Sequence, residues 1–165
     1  MPSNQQANDP RMLAGTVISG PVFAAFLACE TKAYLLQQGI LDSASETEVL
    51  RRSLDAKFKL SASEQLRARV REHEVLVGTP TPETLRRGTY SLILGPTISF
   101  SQGVAHPDAL ERLPLPSARA KAAYRPIRFS RTERPTTADK LALTFDALAV
   151  AEVYSVHERT RRLRT

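Results

Sequence analysis

The feature that most constrains the fold is a change of pattern near residue 88. Before it, apolar residues recur at steps of three and four, which is typical of amphipathic helices. After it, short β-type runs alternate with glycine and proline as far as residue 129, and a last helical pattern covers 136–156. The order of helices, then strands, then a helix predicts an α/β domain in which a small mixed sheet is flanked by helices.

Periodicity and capping signals predict three helices in the first half of the chain. Capping boxes that begin at Ser43 and Ser61 predict helices over 45–58 and 62–73. The dense charge on these two helices is typical of a solvated face, and contact with DNA is the alternative. An earlier helix over 21–38 is predicted from a stripe formed by Val22, Phe26, Cys29, Ala33 and Leu36.

A single helical turn and four strands are predicted next. The turn begins at Thr81 and Pro82 and ends at Gly88. A final helix is capped by Thr136 and Asp139, and its predicted stripe contains Lys140, Leu143, Ala147, Val150 and Tyr154. The strands are predicted over 89–94, 97–100, 109–113 and 124–129.

Charge and cysteine content restrict the classes of partner and compartment. Lys and Arg number 23 against 17 Asp and Glu, which gives a net charge of +6 and favours anionic partners such as nucleic acid. The single cysteine, Cys29, cannot form an internal disulfide or hold an iron–sulfur cluster, so we expect neither. A reducing, cytoplasmic location is therefore predicted. No membrane span is expected, because no stretch approaches the roughly 20 uninterrupted apolar residues that a span requires.

A secreted lipoprotein is the alternative that residues 12–29 raise. They are mostly apolar, follow Arg11 and end at Cys29, as in a lipoprotein signal. Pro21 and two glycines interrupt the apolar run, and the pattern continues into a polar helix. A mature protein that begins at Cys29 would support this alternative.

The residues that carry most chemistry lie on two neighbouring predicted strands. Asp108 follows Pro107 at the start of one strand, and the second strand begins at Tyr124. A carboxylate at a strand start is a setting in which nucleases hold magnesium, an ion that prefers oxygen ligands. The alternative is that Pro107 and Asp108 only open a turn. Zinc motifs on helices, phosphate loops and dinucleotide fingerprints are absent from the sequence.

Three segments together resemble the RecB-like nucleases of the PD-(D/E)XK superfamily, which include the CRISPR-associated adaptation exonuclease. The resemblance covers about residues 20–155, and its motifs lie at 26–36, at 106–113 with 124–129, and at 139–148. It implies a single restriction-endonuclease-like domain over 12–156 that hydrolyses DNA phosphodiesters with Mg²⁺ or Mn²⁺. Its last part has the pattern Y-x-P-x-R-F followed by D-K-L-x-L-x-F-D-A-L.

The resemblance also assigns roles to individual residues. Asp108 matches the first metal-binding acid, but the positions of the family's Glu and Lys are Ile127 and Phe129, which can neither ligate a metal nor hold a water. Catalysis then requires other groups, and Lys140 and Glu133 are the candidates for the base and the second acid. If these do not serve, the protein is a non-catalytic nucleic-acid-binding or protein-interaction remnant of the same fold.

Two further residues match family positions. His73 corresponds to an upstream histidine that adds a metal ligand, with a helix-dipole partner as the alternative. Cys29 corresponds to the first of four cluster cysteines, but the other three have no counterparts, so we expect Cys29 to be a buried helix residue.

The two ends of the chain are polar. Residues 1–11 are predicted to be a flexible leader, and the basic tail at 157–165 is predicted to be frayed or to prolong the last helix. Because the family's further C-terminal segments have no counterpart here, we expect a shortened protein with an uncovered sheet edge and weak or absent nuclease activity.

Overall fold

The computed structural model describes residues 17–40, 45–114 and 122–162, with side chains described as far as Val153. The expected leader at 1–11 lies outside these residues. The helices are α1 (Gly20–Ala28), α2 (Glu30–Gln37), α3 (Glu46–Arg67), α4 (Pro82–Arg87) and α5 (Thr137–Arg162), with a short 3-10 helix over Glu72–Glu74. The strands are β1 (Ile18–Ser19), β2 (Val75–Val77), β3 (Leu92–Leu94), β4 (Ile98–Phe100), β5 (Gly103–Ala105), β6 (Ala109–Arg112) and β7 (Tyr124–Ile127).

The strands form two small mixed sheets. One has the order β1-β5-β4, with β1 parallel and β4 antiparallel to β5. The other has the order β2-β3-β6-β7, in which only the β2–β3 pair is parallel. The predicted α/β class, with small mixed sheets flanked by helices, is therefore confirmed. The short link of His106, Pro107 and Asp108 joins the last strand of the first sheet to β6 of the second, which places Asp108 where the sheets meet.

The middle of the four-stranded sheet, at β3 and the start of β6, is buried on both faces. Successive side chains of a strand point to opposite sides, so Ile93 of β3 enters one apolar cluster while its neighbours Leu92 and Leu94 enter another. The first cluster includes Phe145 of α5, whose ring stacks on Phe23 at 4.7 Å between centroids. This packing fixes α5 across the sheet.

The first predicted helix breaks at Cys29. The backbone there is extended, with φ −165° and ψ 117°, so α1 ends and α2 begins on either side of it. Ala25 and Ala33 are buried, but Cys29 is exposed, and the expectation of a buried cysteine is wrong. The extended residue interrupts the helical phase, and the predicted stripe therefore does not continue through it.

The next two predicted helices are one continuous helix, α3, which ends at Arg67, before the predicted end at residue 73. Its cap is Ser45, whose Oγ accepts a hydrogen bond from the Glu48 amide at 3.3 Å, and the predicted cap Ser43 lies outside the described residues. Ser61 lies in the helix interior, because no glycine or proline near it stops propagation. No residue of α3 is buried, and contact with the sheet comes from Leu66 and the following Val70, which pack on the second cluster.

The second half of the chain follows the prediction more closely. Strands β3, β4, β6 and β7 lie inside the predicted runs, whereas β1, β2 and β5 were not predicted. Helix α4 ends at Gly88 as predicted, with the glycine in the left-handed region at φ 63°.

Helix α5 has the predicted cap, but its buried face is shifted from the predicted stripe. Leu143 and Ala147 are exposed, because apolar residues occur on several sides of this helix and periodicity alone does not set its phase. The buried positions are Ala142, Phe145, Asp146, Ala149 and Val150.

The basic tail prolongs this last helix as far as Arg162. Among the helices described, none combines the length and the apolarity that crossing a bilayer requires.

Candidate functional site

A cleft of about 340 Å³ lies where the start of β6, the end of β7 and the first turns of α5 come together. Helix α3 contributes one residue to it, Lys59. Charged and apolar groups line the cleft in similar number: Lys59, Asp108, Arg128, Phe129, Ser130, Pro135, Asp139, Lys140, Ala142 and Leu143.

Asp108 is fixed at the base of this cleft by backbone and side-chain contacts. Its amide donates to the carbonyl of Ile127 at 3.0 Å, and its own carbonyl accepts from the Gly95 amide at 2.9 Å. Its Oδ2 accepts from the Phe129 amide at 2.8 Å, and its Oδ1 forms an ion pair with the Lys59 Nζ at 2.7 Å. Both carboxylate oxygens therefore already have partners, and only 13% of the side chain is exposed.

A second carboxylate, Asp146, lies buried behind the cleft. Arg128 donates to both of its oxygens, from Nε at 2.5 Å and from Nη2 at 3.0 Å. Burial raises the pKa of Asp146, the Arg128 pair opposes the rise, and the nearby charge of Asp108 adds to it. Arg128 thus neutralises a carboxylate that is fully withdrawn from solvent.

The third carboxylate, Asp139, serves as a helix cap. Its Oδ2 accepts from the hydroxyl of Thr136 at 2.7 Å and from the Thr136 amide at 2.8 Å, while its own amide donates to the Thr136 Oγ1 at 3.1 Å. The hydroxyl hydrogen bond, followed by the amide hydrogen bond, lowers the pKa of Asp139. Asp139 is therefore ionised at neutral pH and is committed to the start of α5.

Lys140 follows directly and reaches the cleft from the first turn of α5. Its side chain is exposed, and in the part of the chain that the structure describes no carboxylate lies within ion-pair distance of its ammonium group. The structure thus brings the predicted residues Asp108 and Lys140 to one cleft. Lys140 is the lining cation that is left available for an anionic ligand.

The other two predicted site residues lie elsewhere. His73 is exposed in the 3-10 helix before β2, and Glu133 is exposed in the turn between β7 and α5. Neither lines the cleft with Asp108. Among residues 17–40, 45–114 and 122–153, no three His, Cys, Asp or Glu side chains are grouped closely enough to hold a metal ion.

The arrangement does not fit a resident Mg²⁺ or Mn²⁺ ion. Mg²⁺ needs several oxygen ligands in near-octahedral geometry. Asp108 has both oxygens engaged, one of them by an ammonium group, and Asp139 uses its Oδ2 to cap α5. Ile127 packs on the second apolar cluster, and Phe129 offers only a ring to the cleft.

Lys59, Arg128 and Asp146 are site residues that sequence reasoning did not select. The sequence spacing does indicate that Asp146 is buried, because it lies four positions from both Ala142 and Val150, which are on the buried face of α5. An acidic residue among apolar ones at helical spacing requires a buried partner. Lys59 gave no such signal, since its contact depends on how α3 lies against the sheet.

No protein-family model, curated protein or solved structure matches this chain. The relationship to RecB-like nucleases and the restriction-endonuclease-like topology stay predictions that rest on the sequence motifs.

Proposed function

We propose that the protein is a cytoplasmic nucleic-acid-binding domain whose cleft contacts the phosphate backbone, with DNA as the partner. The observation that carries the proposal is that Lys140 lines the cleft as an exposed cation, whereas the charges of Lys59 and Arg128 on the same lining are offset by Asp108 and Asp146. Lys140 lacks an anionic partner among the described residues, so a phosphate contact there breaks no existing ion pair. The apolar part of the lining also suits the sugars and bases of a nucleic acid better than a small inorganic anion.

The surface next to the cleft supports the same partner. The segment after β7 carries Arg131 and Arg134, both exposed. Arg131 pairs with Asp55 of α3 at 2.9 Å, and both side chains remain well exposed. Exposed ion pairs contribute little free energy, so a polyanion can exchange one carboxylate for a phosphate at small cost. The net charge of +6 then favours approach of a polyanion from a distance.

Binding to fluorescein-labelled DNA, followed by fluorescence anisotropy over a range of salt concentrations, tests the proposal. Lys140→Ala is expected to weaken binding and to reduce the slope of log K against log salt by about one, as for the loss of one phosphate contact. Lys32→Ala is the matched control, because it removes the same charge from an exposed position on α2 that does not line the cleft. Equal effects of the two substitutions would mean that only net charge matters, and absence of binding at low salt would refute the proposal.

A metal-dependent nuclease is the second candidate, because Asp108 and Lys140 share the cleft. Incubation of single- and double-stranded DNA with Mg²⁺ or Mn²⁺ tests this function directly. Cleavage that is lost in Asp108→Asn would support a nuclease, and the coordination at Asp108 would then have to differ from the arrangement described above. Binding without cleavage would support the non-catalytic domain.

A further inference from the structure

We infer that the Lys59 ammonium group is the resident cation of Asp108 and takes the place that a divalent metal ion would need. The Nζ of Lys59 lies 2.7 Å from the Asp108 Oδ1, and both residues line the cleft. The other oxygen is occupied by the Phe129 amide at 2.8 Å. This inference concerns cations at Asp108 and does not depend on nucleic-acid binding.

Apolar packing at the end of α3, together with one exposed ion pair near its middle, places Lys59 beside Asp108. Leu66 and Val70, at and beyond the C-terminal end of α3, pack on the second apolar cluster. One turn before Lys59, Asp55 forms an ion pair with Arg131 at 2.9 Å. Because Asp55 and Lys59 are four residues apart, both project from the same side of α3, Asp55 towards Arg131 in the loop after β7 and Lys59 towards Asp108 before β6. Helix α3, which is not part of the sheet, thus places the Lys59 ammonium group next to the Asp108 carboxylate.

Electrostatics explains why this pair excludes a divalent ion. A cation that approaches Asp108 must displace Lys59 from Oδ1. It also meets the charge of Lys140 on the same lining, whereas the charge of Arg128 there is offset by Asp146. Asp108 is the one lining carboxylate that is not committed to a helix cap, so a metal would gain too few oxygen ligands to offset this repulsion. Removal of the Lys59 charge frees Oδ1 and removes the nearest repulsion.

Manganese binding to the full chain tests the inference. Mn²⁺ affinity is measured by the loss of free-ion electron paramagnetic resonance signal for the native protein and for Lys59→Met, with Lys57→Met as the control on the same exposed helix. We expect the native chain and Lys57→Met to bind Mn²⁺ equally weakly, and Lys59→Met to bind about tenfold more tightly or better. Lys59→Arg keeps the positive charge and is expected to behave like the native chain.

Two controls show whether Mn²⁺ binds at Asp108 and whether the Lys59 variant is folded. The gain in Lys59→Met should vanish in the double variant Lys59→Met with Asp108→Asn, and circular dichroism should show an intact fold, since Lys59 lies on a helix without buried residues. If Lys59→Met fails to fold, Lys59→Gln replaces it in the same comparison. Native protein that binds Mn²⁺ through Asp108 as tightly as the Lys59 variants would overturn the inference. So would Lys59 variants that gain no affinity.

Discussion

Removal of Arg128 from its pair with the buried Asp146 should destabilise the fold strongly, and Arg128→Met tests this. The substitution keeps much of the side-chain length but leaves a fully buried carboxylate without its partner. Breaking a buried ion pair in this way costs about 3–5 kcal/mol. The Arg128 side chain is 25% exposed, so we expect the lower end of this range, about 3 kcal/mol.

Urea denaturation followed by circular dichroism measures this loss. Arg125→Met is the matched control, because Arg125 lies three residues earlier, on β7, and pairs at the surface with Glu111, where the side chains are 62% and 38% exposed. Loss of that surface pair should cost less than about 1 kcal/mol. If both variants lose the same stability, the reasoning about the buried pair is wrong.

The pH dependence of Arg128→Met provides a second check. Burial raises the pKa of Asp146 in the folded state, and loss of Arg128 raises it further. Because the pKa of Asp146 is higher in the folded chain, the unfolded chain loses this proton at a lower pH than the folded chain. The free energy of unfolding therefore decreases as pH rises from the ordinary aspartate pKa to the raised pKa of Asp146. The difference between the native chain and Arg128→Met should therefore shrink as pH falls towards the ordinary pKa of an aspartate. A difference that grows on acidification would contradict this.

Two further substitutions test local features. Thr136→Ala removes the cap of α5 and should cost about 1 kcal/mol in urea denaturation at neutral pH. Because the Thr136 hydroxyl lowers the pKa of Asp139, the part of this contribution that involves the Asp139 carboxylate is present above the ordinary aspartate pKa and is lost as pH falls through the lowered pKa. An equal loss of stability at low and neutral pH would count against this reasoning. Gly88→Ala should destabilise the fold more than Gly39→Ala, by a measurable difference in urea midpoint. Both glycines have a positive φ, so either substitution costs about 1 kcal/mol or more. An added Cβ at Gly88 would also collide with a neighbouring side chain, whereas an added Cβ at Gly39 would meet none. Equal urea midpoints for the two variants would refute this reasoning.

Features that depend on neighbouring residues could be predicted from the sequence. The end of α4 at Gly88 and the cap formed by Thr136 and Asp139 depend on a few adjacent residues, and both are present in the structure. The α/β class followed from the order of these local patterns. The break at Cys29 could not be predicted, because its apolar stripe runs on without a glycine or proline to mark the change.

The candidate site could be predicted only in part. Asp108 and Lys140 were found from motifs, and their shared cleft follows from the packing of α5 on the sheet. The partner of Asp108 could not be found in this way, because the predicted break near Ser61 placed Lys59 between two helices. Contacts between distant segments depend on how whole elements pack, and sequence periodicity carries little information about that.

The contrast between α3 and β3 has a consequence for motion. All three residues of β3 are buried between two apolar clusters, so their amide protons should exchange with solvent only when the whole fold opens. The first half of α3 is held by exposed ion pairs and its own hydrogen bonds, and helices with so little tertiary packing fray at low cost. The amide protons in the first half of α3 should therefore exchange well before those of β3, and the helix that carries Lys59 should open without opening the sheet next to Asp108.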